Sequence, residues 1–308
     1  MAGRRRSKGS MVTYRIEYFL TQFIGLIAKI IPLKLAHFIG DRCGDLFCYV
    51  IRIRKKVAYR NLKASFGDEK SDREIKKIIH RNYRHLGRVL MEFARIPLFK
   101  RDAILDQIPV QNVEYFTELM DRNKGLFILS GHFGNWEYLG AAVANLVPPV
   151  YCVFKEQKNL AVDGIIKQFR MSVGLRPFKV RGGAAKGILR TVKEKGVILV
   201  LNDQDAGRKG EMIEFFGRPA STARGAALIA IKYRVPVIIA LGVRDKDGRI
   251  RIHSEKFPDI DQFSNNDEGV KQFLIEYNKI LEKYIRKYPE QWLWLHRRWK
   301  TQFVKGEF

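Results

Sequence analysis

Cysteine is scarce in this chain: three thiols, Cys43, Cys48 and Cys152, among 308 residues. The number is odd and no C-x-x-C pair occurs, which argues against a disulfide framework and a zinc knuckle and for buried or idle thiols in a reducing compartment. There is no internal repeat, and no low-complexity tract beyond a short basic start. No run near the N-terminus reaches the ~20 apolar residues that a spanning helix needs. The uncharged stretch Tyr18 to Ala28 is bracketed by Glu17 and Lys29, and no small-residue cleavage site follows it, so a secretory signal is not expected. Histidine is also rare, six in the whole chain. Acidic residues are few, 32 Asp+Glu against 57 Lys+Arg.

What is present is a globular composition, 46% hydrophobic and 12% aromatic, with a net charge of +25. The excess is uneven. Residues 1–101 hold 24 basic and 8 acidic residues, and the other 207 hold 33 and 24. Such a surface favours anionic partners: nucleic acid, anionic lipid or an acidic carrier protein. No zinc-finger, RRM or KH signature occurs and the basic residues sit among apolar helices, so nucleic acid is not expected. "MVTYRIEYFLTQFIGLIAKIIP" (11–32) and "LFCYVI" running into "RIRKK" (46–56) suit an interfacial helix facing anionic lipid. Packing on the protein's own domain, or one tilted span with cytoplasmic basic flanks, stays open beside that reading.

The pattern divides the chain into a basic tail (1–10), a helical membrane-associating region (11–105) and an α/β core (106–308) packed with it as one unit. In the helical region Ser71 is an N-cap with Glu74 at the capping-box position, and the helix they open stops before Pro97. Its apolar stripe is Ile75, Ile78, Ile79, Leu86, Val89, Leu90 and Phe93; His80 and His85 read as surface residues. Beyond about residue 105, β-branched runs at 125–130, 149–154, 196–201 and 235–243 alternate with helical stretches near 135–146, 159–173, 183–194 and 221–233. That alternation predicts an α/β fold with a mostly parallel central sheet flanked by helices, with 249–253 as an edge strand and 267–287 as a last helix. Ligands of such sheets collect beyond the carboxyl ends of the strands.

One histidine falls there. In "LFILSGHFGNWE" (126–137), His132 occupies the turn between a strand and a helix. A helix N-terminus disfavours imidazolium and keeps the ring able to accept a proton. Glu137 is placed to fold back and take the other ring N–H, so that His132 could deprotonate a substrate hydroxyl. A histidine that only satisfies backbone groups of the turn has the same spacing. "LSGHF" lacks the G-x-S-x-G elbow, so Ser130 is not a nucleophile and direct transfer is favoured over a covalent enzyme.

The chain resembles the bacterial lipid A biosynthesis (lauroyl/myristoyl, late) acyltransferases of lysophospholipid-acyltransferase type. The marks, in order, are "KKVAYRNLKASFGD" (55–68), "GLFILSGHFGNWE" (125–137), "GVILVLNDQDAG" (196–207), "FFGRPASTARGAALIA" (215–230) and "PEQWLWLHRRWK" (289–300). The resemblance implies His132 as catalytic base and Glu137 as its charge-relay acid. It implies Arg170 as an arginine for an oxyanion or a phosphate, with Arg176 and Arg181 close enough in sequence to compete for that place. Asp203 becomes a second carboxylate that positions Arg170 or the acceptor, in a loop completed by Gln204 and Asp205. Asn135 lies inside the signature and is grouped with the substrate-binding residues. Gly217, Arg218 and Thr222 read as a substrate-binding turn opening a helix, with Thr222 as cap. Arg297 and Arg298, among the tryptophans of "WLWLHRRWK", are candidates for gripping phosphate at the membrane surface; a purely structural role for Trp292 and Trp294 is equally open.

The implied reaction moves a fatty acyl chain from an acyl carrier protein or CoA thioester to a hydroxyl of a glycolipid such as a lipid A precursor. No metal or cofactor is expected, since the thioester supplies the activation. The implied place is the cytoplasmic side of the inner membrane, peripheral or with a single N-terminal span. Two rivals stand beside this: a metal-dependent glycosyltransferase using the D-x-D of residues 203–205, and a non-enzymatic basic module that binds lipid or nucleic acid.

Overall fold

The computed structural model describes residues 8–122, 124–154, 156–179 and 184–302; the basic tail up to residue 7, and Arg181, lie outside them. Helices come first: α1 (Lys8–Ile30), α2 (Leu33–Leu46), α3 (Lys55–Phe66) and α4 (Asp72–Arg95), with a π-helical turn at Phe47–Ile51. Two short helices, α5 (Ile104–Gln107) and α6 (Val113–Asp121), lead into the sheet. Strand and helix then alternate: β1 (Leu126–Ser130), α7 (Trp136–Leu146), β2 (Val150–Phe154), α8 (Leu160–Ser172), β3 (Leu175–Lys179), α9 (Ala184–Lys193) and β4 (Val197–Leu201). A hairpin, β5 (Glu211–Phe215) and β6 (Arg218–Thr222), precedes α10 (Gly225–Tyr233), β7 (Val237–Arg244), β8 (Ile250–Lys256) and α11 (Asp267–Lys287).

The large sheet has the order β3-β2-β4-β1-β7-β8. All its pairings are parallel except β7 with β8, so the expected mostly parallel sheet flanked by helices forms, with 250–256 as its antiparallel edge. Every residue of β1 and of β7 is buried, because parallel strands covered on both faces expose neither. Phe127, Leu129, Ile198, Ile239 and Leu241 pack on one face with α4, α10, α11 and the tryptophans of the C-terminal segment. Leu126, Ile128, Val150, Leu199 and Ile238 pack on the other with α5, α6 and α7. β3 escaped the sequence pattern because "LRPFK" carries Pro177 and two cations, tolerated only at a sheet edge.

The Ser71–Glu74 capping box is present: Ser71 Oγ accepts from Glu74 N at 3.3 Å and Glu74 Oε2 from Ser71 N at 2.9 Å. The inner face of α4 is more polar than its apolar stripe suggested. His85 is buried and hydrogen-bonded at 3.0 Å to Gly134 O, so it is not a surface residue, while Leu90 is 46% exposed. Asn82 donates to Glu290 O and Trp292 O, both at 2.7 Å, and Glu92 binds Arg244 at 2.6 Å. These buried polar bonds stitch α4 to the sheet and to the C-terminal segment. α2 crosses α4 where Gly40 and Gly87 meet so closely that a Cβ on Gly87 would lie 2.0 Å from Gly40 O.

Among the described residues, no helix is long and apolar enough to cross a membrane. α1 nevertheless leaves an apolar stripe outward: Val12, Ile16, Phe19, Leu20, Phe23, Leu26 and Ile30 are each more than half exposed. Leu35 and Phe38 of α2 are exposed beside it.

Candidate active site

β1 and β4 are neighbours in register, Ser130 opposite Leu201, and Asn202 N extends the ladder to Ser130 O at 2.9 Å. Two residues past each strand end come His132 and Asp203, so the sheet itself places them side by side. Asp203 Oδ1 lies 2.8 Å from His132 Nδ1, and Asp203 Oδ2 accepts the backbone N–H of His132 at 2.9 Å. Trp292 Nε1 donates to the same Oδ2 at 2.8 Å. An ionised carboxylate only accepts, so the proton sits on Nδ1 and Nε2 is the basic nitrogen. The ring stands edge-on to Trp136, centroids 5.3 Å apart.

The turn after β1 needs its glycine. Gly134 has φ +54°, and a Cβ there would come 1.8 Å from Gly242 O. Asn135 then caps α7, its Oδ1 accepting from Glu137 N at 3.1 Å and Tyr138 N at 2.9 Å. Its Nδ2 is bound to Glu92 at 2.7 Å and the residue is fully buried, so Asn135 frames the turn and does not meet substrate.

Glu137 does not fold back to the histidine. It grips Arg170 of α8 in a bidentate pair, Nε to Oε2 at 2.9 Å and NH2 to Oε1 at 2.6 Å. The partners expected for the two carboxylates are thus exchanged: Asp203 holds His132, and Glu137 holds Arg170. Arg176 is in β3 with its NH1 on the Tyr151 hydroxyl at 3.1 Å, away from Glu137. The helix N-terminus does not govern His132 either. Burial opposes its charged form most strongly, but the Asp203 carboxylate, by attraction and hydrogen bond, outweighs burial and raises its pKa above the ordinary 6.5. Asp203 shows the complement. Burial pushes its pKa up, and the charge and hydrogen bonds of His132, with Trp292, bring it down to about 2.

A cavity of about 380 Å³ opens at His132. Its polar lining is His132, Glu137, Gln157, Arg170 and Gln204; its apolar walls include Trp136, Gly140, Cys152, Phe154, Leu175, Leu199 and Leu201. Gln204 Nε2 stands 3.4 Å from His132 Nε2, at the long limit of a hydrogen bond. The arrangement offers a positioned base, a guanidinium and an amide at the mouth of an apolar trough.

Several expected substrate contacts lie elsewhere. Asp205 accepts from Thr301 Oγ1 at 2.8 Å, Thr301 N at 3.1 Å and Gly207 N at 3.0 Å, so it anchors the C-terminal segment. With Asp203 turned to His132 and Asp205 to Thr301, the D-x-D carboxylates serve separate partners. Phe216 and Gly217, at φ 54° and 69°, make the tight turn of the β5–β6 hairpin, not a turn opening a helix. Arg218 reaches Ala64 O at 3.2 Å on the surface. Thr222 is no cap: it ends β6, α10 starts at Gly225, and Thr222 Oγ1 accepts from Arg298 at 2.7 Å. Arg298 is fully buried, also donating to Ser221 O, so it holds the hairpin and does not grip phosphate. Arg297 is exposed, outside the cavity lining. Trp292, Trp294 and Trp299 are buried core residues, not membrane-surface anchors. Cys152, Gln157 and Leu175 carry no motif and reach the cavity only because β2 lies beside β4 and β3 beside β2, while Trp136, inside the 125–137 signature, has no role that its position in the sequence assigns.

A family model described as "Bacterial lipid A biosynthesis acyltransferase" matches residues 4–301. The chain is similar to the "Lipid A biosynthesis palmitoleoyltransferase" of Escherichia coli (strain K12), 26% identical over 296 residues, 94% of this chain and 93% of that one. The "Lipid A biosynthesis lauroyltransferase" of the same organism is 25% identical over 295 residues, 93% of each chain. A "Phosphatidylinositol mannoside acyltransferase" of Mycolicibacterium smegmatis is 21% identical over 217 residues, 69% of each.

Proposed function

Since the chain belongs to the bacterial lipid A biosynthesis acyltransferase family and is therefore an acyltransferase, we propose that it moves a fatty acyl chain from a thioester to a hydroxyl of a membrane glycolipid, with His132 as base. The observation that carries the proposal is the His132–Asp203 pair at the mouth of an apolar trough. Nε2 takes the proton of the acceptor hydroxyl as its oxygen attacks the thioester carbonyl. The negative charge that forms on the carbonyl oxygen meets Arg170 and the Gln204 amide. Collapse expels the thiolate, which takes the proton back from the imidazolium, so the ring ends neutral. Nothing is oxidised and the thioester bond supplies the driving force, so no cofactor enters the scheme.

The acyl chain lies along Gly140, Leu175, Leu199 and Leu201, where apolar burial contributes about 0.8 kcal/mol per methylene. The donor is an acyl carrier protein or CoA thioester, both anionic and suited to the basic surface; the acceptor is a lipid A precursor or a related glycolipid. The exposed apolar stripe of α1 and its neighbours on α2 lie in the interface of the inner membrane on its cytoplasmic side, where these thioesters are made available. Membranes incubated with the protein and labelled acyl thioesters should yield an acylated glycolipid by mass spectrometry, and His132→Ala should yield none. Wild-type rates in that variant would sink the mechanism.

A further inference from the structure

A second cavity, of about 660 Å³, opens in the helical region between the π-helical turn, the start of α3 and the side of α4. Among the described residues, the six charged ones that line it, Arg52, Arg54, Lys55, Lys56, Arg60 and Lys76, are all cations. Cys48 and Ile79, both buried, form an apolar floor. The cavity is separate from the trough at His132, with which it shares no lining residue.

The local fold holds these cations together at a cost. Arg52 and Arg54 both have left-handed backbones, φ 56° and 53°, which disfavour residues other than glycine. Arg54 is the N-cap of α3, Lys55 and Lys56 fill its first turn, and no acid is there to offset the unfavourable dipole. Two acids near the cavity are engaged with cations outside its lining. Asp72, which feels Lys76, is bonded to Lys63 at 3.0 Å, and Asp45 is held by Arg84 at 2.7 Å. Beside the cavity the chain turns apolar and outward: Tyr49, Val50, Ile51 and Ile53 are 45% to 71% exposed.

A cationic rim, an apolar floor and an apolar exit describe a small anionic amphiphile. We infer that this cavity receives the phosphate headgroup of an anionic phospholipid, whose chains leave past Tyr49 and Ile51 into the bilayer that α1 also enters. The acidic surface of a carrier protein is convex and would meet the rim alone, leaving the floor at Cys48 and Ile79 unused. The inference rests on the interfacial part of the proposed function. It adds to it a discrete site, so that anionic lipid is held by geometry and not by the bulk charge of +25.

The test uses the full chain and flotation with vesicles of phosphatidylcholine, alone or mixed with phosphatidylglycerol. One variant combines Arg52→Asn, Lys55→Gln and Lys56→Gln, asparagine being tolerant of the left-handed backbone. A control combines Lys232→Gln, Lys246→Gln and Lys271→Gln, three exposed lysines outside the cavity, with the same change in net charge. Wild type should bind the mixed vesicles better. The cavity variant should lose that preference by roughly tenfold or more while still binding phosphatidylcholine, and the control should stay near wild type. Its melting temperature should not fall, since cations leave the first turn of α3. Equal losses in both variants would assign the preference to bulk charge and overturn the site while leaving the membrane reading intact. A cavity variant that keeps the lipid preference but raises KM for a carrier-protein thioester would overturn it in favour of a protein dock. Wild type that floats with neither vesicle would remove the interfacial reading and the site together.

Discussion

Asp203 holds His132 at two points, its Oδ1 2.8 Å from the ring Nδ1 and its Oδ2 2.9 Å from the backbone N–H. Side chain and backbone of the proposed base are thereby fixed by one carboxylate, itself buried and tied to Trp292. Asp203→Asn keeps the shape but can present its NH2 to Nδ1, which favours the wrong tautomer. The expected loss in kcat is roughly 10⁴-fold, the order found when a catalytic histidine loses its orienting carboxylate. The pH profile separates this from a merely structural fault. The acid limb of kcat/KM should lie above the ordinary imidazole value of 6.5 in the wild type, because Asp203 stabilises the charged ring, and should move to lower pH in the variant. An unmoved limb would remove Asp203 from the pair.

Glu137 is expected to behave differently. Its bidentate grip on Arg170 orients a guanidinium, so Glu137→Gln should lower kcat through a misplaced Arg170 and move the acid limb of the pH profile to lower pH by less than Asp203→Asn does, because Glu137 acts on the ring through charge alone. Arg170→Lys should fail to restore activity, because an ammonium cannot make the two parallel bonds. A Glu137→Gln variant whose acid limb moves as far as that of Asp203→Asn would return the relay role to Glu137.

The sequence carried the strands of the sheet interior and the turn that bears His132, since continuous β-branched runs at 125–130 and 196–201 have few other uses. It did not carry strand order. Nothing in residues 126–137 says that β4 lies beside β1, and that adjacency alone decides that Asp203 rather than Glu137 reaches the ring. The spacing of His132 and Glu137 invited a local pairing, whereas the helical turn aims Glu137 toward α8 and Arg170. Arg298 and Asp205 show a related limit. A charged residue in a motif suggests substrate, but burial against β6 and the C-terminal segment turns both into internal ties. His85 shows the limit of periodicity, which registers apolar stripes and is blind to a buried imidazole bonded to a backbone carbonyl.

Gly140 sets the width of the trough. A Cβ there would lie 2.6 Å from Leu175 Cδ1, a flexible side-chain end that can give way only by moving. Gly140→Val should therefore fill space that a long acyl chain uses. The expected result is a shift of kcat/KM toward shorter acyl thioesters, with each excluded methylene worth roughly tenfold or more. Competition assays with mixed thioesters read this directly, and an unchanged chain preference would place the acyl chain elsewhere.

Acid should destabilise the fold before the ordinary carboxylate range is reached. Burial, and then the charge of Arg244, push the His85 pKa down to about 3 from 6.5, and burial lowers His296 to about 4. As pH falls below 6.5 the unfolded chain takes up protons that the native histidines refuse. Each group then costs about 1.4 kcal/mol per pH unit, His85 until about pH 3 and His296 until about pH 4. His132 acts with the opposite sign. Its raised native pKa gives stability that is complete below 6.5 and is lost as pH rises through the native value, so it does not offset the acid loss. Glu92 and Asp203, both held at about 2, extend the decline below the ordinary carboxylate values. Urea unfolding between pH 7 and pH 5 should show stability falling, with a shallower slope in His85→Gln, whose amide can still donate to Gly134 O without titrating. Equal slopes in wild type and variant would mean that His85 is charged in the native state.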